Sequence, residues 1–351
     1  MILTILIGLA VLSVLVLVHE LGHFITAKAC AVKVEEFGLG YPPRLLSKKR
    51  GETLYSLNLI PFGGFNRLAG EEDPEGPRSL ASKSAGVRLL VISAGAIMNF
   101  ILPIILLSVA FMVPHYTLTE SILVYEVAPD SPAATVGIQV DDTILEINGT
   151  LLQNRNELSR YIHLNLGKKI TLLIQHPDST TKEVQFRPRW RPPEGQGATG
   201  VSTINANPVI SPESLPFWEA IPMGAKECVE ALILSKNGLI SMVIGAKPVA
   251  FTGPVGIVQL TGEVAKAGIS PLLEIAALLS IALGLTQLLP VPALDGGRIA
   301  FVLLEWVRRG KRISPQKEGL VHLIGFGILI VLLLVITYQD IFRIISGDSL
   351  L

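Results

Sequence analysis

Four apolar stretches constrain this chain more than any other feature. Ile2 to Val18 carries no charged residue and, with the helical turn that follows, reaches Phe24. Leu89–Val113, Leu272–Leu289 and Leu320–Tyr338 are the other three. A helix rises about 1.5 Å per residue and the hydrocarbon layer is about 30 Å thick, so stretches of this length suit a crossing. Half of the 351 residues are hydrophobic, which is high for a soluble protein of this size. The first stretch begins Met-Ile-Leu-Thr, without the basic start and small-residue cleavage site of a signal peptide, so a retained anchor is expected. The expected fold is a polytopic α-helical membrane protein with four transmembrane helices.

Basic residues in short loops orient such a protein. The loop after the first span holds Lys28, Lys33, Arg44, Lys48, Lys49, Arg50, Arg67, Arg78, Lys83 and Arg88. The loop after the third holds Arg308, Arg309, Lys311, Arg312 and Lys317. Both loops are expected on the cytoplasmic side, with both termini and the long 114–271 segment on the outer side. That arrangement puts Cys30 and Cys228 on opposite sides, which argues against a disulfide between them. The formal net charge is zero, and no basic block with interleaved aromatics suggests nucleic acid. Oligomeric state is not legible.

The chain divides into four regions: 1–113, 114–190, 191–270 and 271–351. Between the first two spans, Thr53, Tyr55, Leu57 and Leu59 alternate with Leu54, Ser56 and Asn58, and Pro61 and Gly63-Gly64 follow. Period two predicts a β-hairpin over 52–68, either on the surface or dipping into the bilayer where protein shields it. The outer segment reads as a small mixed domain: a strand at "SILVYEV", a short Ala-rich helix, a strand at Thr143–Ile147, a helix starting at Asn156-Glu157-Leu158 and a strand at "KKITLLIQHP". Residues 187–212 lack period and read as a linker. Residues 217–244 read as an amphipathic helix, flat on the membrane or packed on the small domain, and Lys247-Pro248 breaks the apolar run that follows.

The first apolar stretch ends in "VHELGHF". Residues four apart share a helix face, so His19 and His23 project together while Glu20 lies about 100° round. Two imidazoles can bind one ion, with a carboxylate beside it rather than on it. Ionisable groups at bilayer depth are costly and are therefore functional candidates. A catalytic zinc usually takes three protein ligands. At the end of the third span, which closes on the same side, "LGLTQLLPVPALDGGRI" offers one carboxylate, Asp295; by itself Asp295 also reads as the cap of the next helix.

Together these residues resemble the site-2 protease family of intramembrane zinc metalloproteases, in particular bacterial members with an outer PDZ domain. The resemblance runs through "HELGH", "RGETLYSLNLIPFGGF", "SAGAIMNF", "SPAATVGIQVDDTILEING", "GPVGI" and "LLPVPALDGG", in that order. It implies an inserted α+β PDZ domain and a Zn2+ cofactor on His19, His23 and Asp295, with Glu20 as catalytic base. It also implies cleavage of single-span membrane proteins within or near the bilayer, usually after another protease has shortened the outer part of the substrate. Anti-sigma factors and remnant signal peptides are the implied substrates, and the bacterial cytoplasmic membrane the implied location. Gln287 stands where the family usually has an asparagine associated with substrate handling. Asn99 matches a second family asparagine, or is a packing amide between spans. The PDZ turn reads Val-Asp-Asp where Pro-Gly-Asp is common.

The resemblance implies substrate contacts at Asn99 and Gln287, and Tyr55, Leu57, Gly63 and Gly64 are expected to add to them, because an extended peptide could join the hairpin as a strand. The PDZ-like domain is expected to bind substrate termini or to exclude large outer domains. Two other classes compete. A zinc transporter would need further ligands along a path, yet of the other histidines His322 is the one within a span, with no acid expected beside it. A PDZ scaffold with a structural metal would have no use for Glu20.

Overall fold

The computed structural model describes residues 2–71, 76–246 and 252–346. Along the chain run α1 (Ile2–Ala29), β1 (Val34–Arg50), β2 (Thr53–Leu68), α2 (Ala85–Met112), β3 (His115–Val127), α3 (Pro132–Thr135), β4 (Thr143–Ile147) and β5 (Thr150–Leu151). Then follow α4 (Arg155–Leu164), β6 (Ile170–Gln175), β7 (Thr181–Phe186), β8 (Val201–Glu213), α5 (Phe217–Val243), α6 (Pro254–Val264), α7 (Ile269–Gln287), α8 (Asp295–Val307) and α9 (Pro315–Ser346). Two compact units result, one of residues 1–110, 220–228 and 251–351, the other of 111–219 and 229–250.

In the first unit all four apolar stretches are helical. Among the described residues α1, α2, α7 and α9 are the helices long and apolar enough to cross a membrane. Helix is what such sequences require, because only a helix satisfies every backbone N–H and C=O within one segment. Gly22 of α1 lies so close to α2 that a Cβ there would stand 2.4 Å from the Ala94 carbonyl oxygen. That approach brings α2 against the face of α1 that carries His19 and His23. Below the motif, Ala27, Val32, Val34, Leu68, Leu80, Val91, Ile92 and Val302 form one apolar cluster.

The hairpin expected over 52–68 is not one. Phe37 of β1 lies opposite both Asn66 and Tyr55, and Leu39 opposite both Gly64 and Leu57, while Lys48 also faces Tyr55. Four extended runs therefore lie in the order 44–50, 53–58, 36–39 and 64–68, and β1 separates the two halves of β2. Alternation shows that a segment is extended and which side chains share a face; it does not choose the pairing partner. Leu45, Leu46, Leu57, Leu59 and Ile60 are exposed on this sheet.

The second unit holds a sheet in the order β7-β6-β4-β3-β8, with β5 on β4. Its core is Ile122, Val124, Ile144, Ile147, Leu158, Ile162, Ile170, Leu172, Ile174, Val184 and Phe186. Helix α4 begins one residue before the expected start at Asn156. Asn154 caps α4, its Oδ1 accepting from Glu157 N at 3.0 Å, while Glu157 accepts from Gln153 N at 2.8 Å. The expected linker over 187–212 is a correction: β8 occupies much of it and pairs along β3 from Val201–Val127 to Glu213–His115. Pro208 and Pro212 sit in an edge strand, where a missing donor is tolerated, and this hid the strand from a periodicity reading. The region 191–270 is likewise no simple linker with one helix, since it also carries α6. Within this unit α5 bonds to the small domain, with Asn237 Nδ2 donating to the His163 carbonyl at 2.8 Å and an ion pair between Arg160 and Glu230. The helix break expected at Lys247-Pro248 lies outside the described residues.

Candidate metal centre

At the C-terminal part of α1, His19 and His23 stand one turn apart with rings 4.8 Å between centroids, nearly perpendicular. Asp295 opens α8 as its first helical residue, with Leu294 as the cap position, so it is not the helix cap. His19 Nε2 and His23 Nε2 lie 3.2 Å apart, and each is close to Asp295 Oδ2, at 3.2 and 3.1 Å. Among the described residues this is the group of three metal-binding side chains whose donor atoms converge. Ligands about 2.05 Å from a tetrahedral zinc are separated by about 3.3 Å, so this triangle fits one zinc ion. Asp295 Oδ2 is buried and receives no hydrogen bond, as a ligand oxygen awaiting a cation would.

The outer face of each ring is also held. His23 Nδ1 donates to the Val91 carbonyl at 2.8 Å, which leaves Nε2 bare in the neutral ring. The Asn99 amide lies 3.2 Å from His19 Nδ1, and Asn99 is fully buried with its Oδ1 otherwise unpartnered. If Nδ2 faces the ring, Nδ1 accepts and Nε2 carries the proton. Turned over, the amide presents Oδ1 to Nδ1–H and Nε2 is free for a metal. Exchange of amide O and N is a matter of assignment, and the second orientation is the one that makes His19 a ligand. Asn99 stands behind His19 and is not among the residues lining the cavity beside the triad.

A cavity of about 260 Å³ opens beside the triad, lined among others by Glu20, Phe65, Asn66, Glu71, Gln287, Ala293 and Arg298. It has room for water. Gln287 is thus at the site, as is Gly64, where a Cβ would stand 3.8 Å from Glu20 Cγ. Gly63, with φ +73°, turns the chain into this run. Tyr55 and Leu57 are placed differently. They lie on the run paired on both sides, and strand addition needs a free edge. The edge facing the cavity is 64–68, which includes Phe65, Asn66 and Leu68. Burial pushes the Tyr41 phenol up, and the Glu20 carboxylate adds to it.

Three features of the site escaped the sequence reading. Arg298 pairs with Glu71 at 2.7 Å in the cavity wall. Gly95 of α2 faces both imidazoles so closely that a Cβ would lie 2.4 Å from His23 Nε2 and 2.6 Å from His19 Cε1. Its signal was the small-residue run "SAGA" opposite the motif. The expectation that His322 has no acid beside it also fails, because α9 begins at Pro315 and places Glu318 one turn before His322.

The model for peptidase family M50 matches residues 7–332. The chain belongs to that family. A candidate zinc metalloprotease of Clostridium acetobutylicum is 35% identical over 340 residues, covering 96% of this chain and 97% of its own length. Zinc metalloprotease RasP of Geobacillus kaustophilus is 29% identical over 415 residues, at 95% and 96% coverage. The regulator of sigma-W protease RasP of Bacillus subtilis is 28% identical over 425 residues, at 97% and 99%. This chain is accordingly a zinc metalloprotease of the site-2 protease type, and its four apolar helices fit a multi-pass bacterial membrane protein. A solved PDZ domain from Listeria monocytogenes matches 24% of this chain and 88% of its own at 23% identity, with a TM-score of 0.22, too low to bear on the fold.

Proposed function

We propose that this chain hydrolyses peptide bonds in or beside the transmembrane segment of single-span membrane proteins, with His19, His23 and Asp295 as zinc ligands and Glu20 as base. The observation that carries this is the donor triangle of 3.1–3.2 Å at the end of an apolar helix, with Glu20 lining the same cavity. A bound zinc would polarise the scissile carbonyl and make a water acidic enough to lose its proton near neutral pH. Glu20 takes that proton as the water oxygen attacks the carbonyl carbon, then passes it to the departing amide nitrogen as the C–N bond breaks.

A helical substrate hides its carbonyls, so the peptide must be extended. The free edge of 64–68 offers backbone groups for that, beside Glu20, and Gln287 offers an amide to the bound strand. Exposed Leu45, Leu46, Leu59 and Ile60 support a sheet held against lipid. The arrangement of basic loops supports a site near the cytoplasmic face, with both termini and the second unit outside. Within that unit we assign residues 114–190 as a PDZ domain that binds or filters substrates already cut elsewhere. A groove of about 300 Å³ beside α4, lined by Leu158, Ile162, Val201 and Thr203, supports the binding role. Anti-sigma factors and remnant signal peptides fit as substrates.

The test is cleavage of a single-span reporter with a shortened outer domain by purified protein in detergent, comparing wild type, Glu20→Gln and chelator-treated samples. Glu20→Gln is expected to retain zinc and lose at least 100-fold in kcat. A Glu20→Gln enzyme that cleaves at the wild-type rate refutes the assignment of the base.

A further inference from the structure

We infer that His322 of the last span is a positioning residue for Asp295, acting through the loop that precedes α8. The Ala293 backbone N–H donates to His322 Nδ1 at 2.9 Å. Ala293 is not glycine, yet its φ is +75°, a left-handed conformation that persists only where its surroundings hold it. Two residues later the chain presents Asp295. The direction of the Asp295 carboxylate therefore depends on a turn that, left to itself, would relax to another conformation.

α9 is shaped to hold that turn. Gly325, three residues after His322 and so on the same face, lies against Pro292; a Cβ there would come within 2.3 Å of Pro292 Cβ and 2.8 Å of its carbonyl oxygen. The His322 ring also packs on Phe301 of α8, centroids 5.5 Å apart. His322 thus touches the loop before Asp295 and the helix after it. Accepting from Ala293 requires a bare Nδ1, so the acting form is the neutral ring protonated on Nε2.

The inference rests on the reading of Asp295 as a metal ligand, and the experiment separates the two. Zinc affinity would be measured by chelator competition on the purified full chain for wild type, Asp295→Asn, His322→Phe and His322→Asn, alongside kcat and KM for the reporter. His322→Phe keeps a ring against Phe301 and removes the acceptor; the Oδ1 of His322→Asn can stand where Nδ1 stood. We expect His322→Phe to bind zinc about five- to tenfold more weakly, the loss of one hydrogen bond between neutral groups, with kcat falling and KM little changed. His322→Asn should stay within about twofold of wild type. Wild-type zinc affinity in His322→Phe, or equal losses in His322→Phe and His322→Asn, would overturn the positioning role. Undiminished affinity in Asp295→Asn would instead sink the ligand reading beneath it.

Discussion

Replacing Gly95 by alanine should weaken metal binding without removing any of the three donor side chains. The added methyl would stand 2.4 Å from His23 Nε2, 2.6 Å from His19 Cε1 and 2.8 Å from His19 Nδ1. Ordinary contacts between such atoms begin at about 3.5 Å, so the rings or α2 must retreat by roughly 1 Å. His23 cannot turn away without giving up its bond to the Val91 carbonyl, and His19 is held at the same depth by Asn99. Overpacking of this kind costs about 1–3 kcal/mol, and it falls on the metal-binding geometry, where ligand distances tolerate only about 0.2 Å. The zinc dissociation constant should rise by about 10- to 100-fold, equivalent to about 1.4–2.8 kcal/mol. Chelator competition on Gly95→Ala and wild type measures the loss, and thermal unfolding of the metal-free forms shows whether the helices remain packed. If Gly95→Ala binds zinc within threefold of wild type and cleaves normally, the reasoning is wrong, because the methyl would then have been absorbed by a shift that left the donor triangle intact.

Asn99→Leu should weaken zinc binding by about 10- to 100-fold by losing the tautomer of His19, whereas Asn99→Asp, which keeps an acceptor oxygen, should lose less; the same chelator titration compares them. Glu305 lies between Arg88, at 2.5 Å, and Arg312, at 3.1 Å. Burial acts to raise its carboxyl, but the bonds from Arg88 and Arg312 hold it below the usual glutamate range. Its folded value is therefore depressed, so its contribution to stability is present above the ordinary glutamate value and is lost as the pH falls below it. Glu305→Gln should destabilise the protein by roughly 2 kcal/mol near neutrality, by leaving the buried Arg88 without a counter-charge, and should flatten the acid limb of stability against pH; denaturation at pH 7 and at pH 3 to 5 tests both effects.

What the sequence determined by itself were the features written in short-range pattern. Uncharged runs of membrane length can only become helices, because an unpaired backbone group has no partner in hydrocarbon, and this placed α1, α2, α7 and α9. The spacing of His19 and His23 put both rings on one face, and "ALDGG" offered a single carboxylate as the candidate third donor. Tertiary structure decided everything that depends on distant segments meeting. It put β1 between the two halves of β2 and so made 64–68, not Tyr55 and Leu57, the free edge beside Glu20. It turned the presumed linker into β8 by supplying β3 as a partner. It also set Gly95 and Asn99 of α2 behind the histidines, and His322 of α9 beneath the loop that carries Asp295. Periodicity records which way a residue points along its own helix or strand; which residue stands opposite is settled only when helices far apart in the chain pack together.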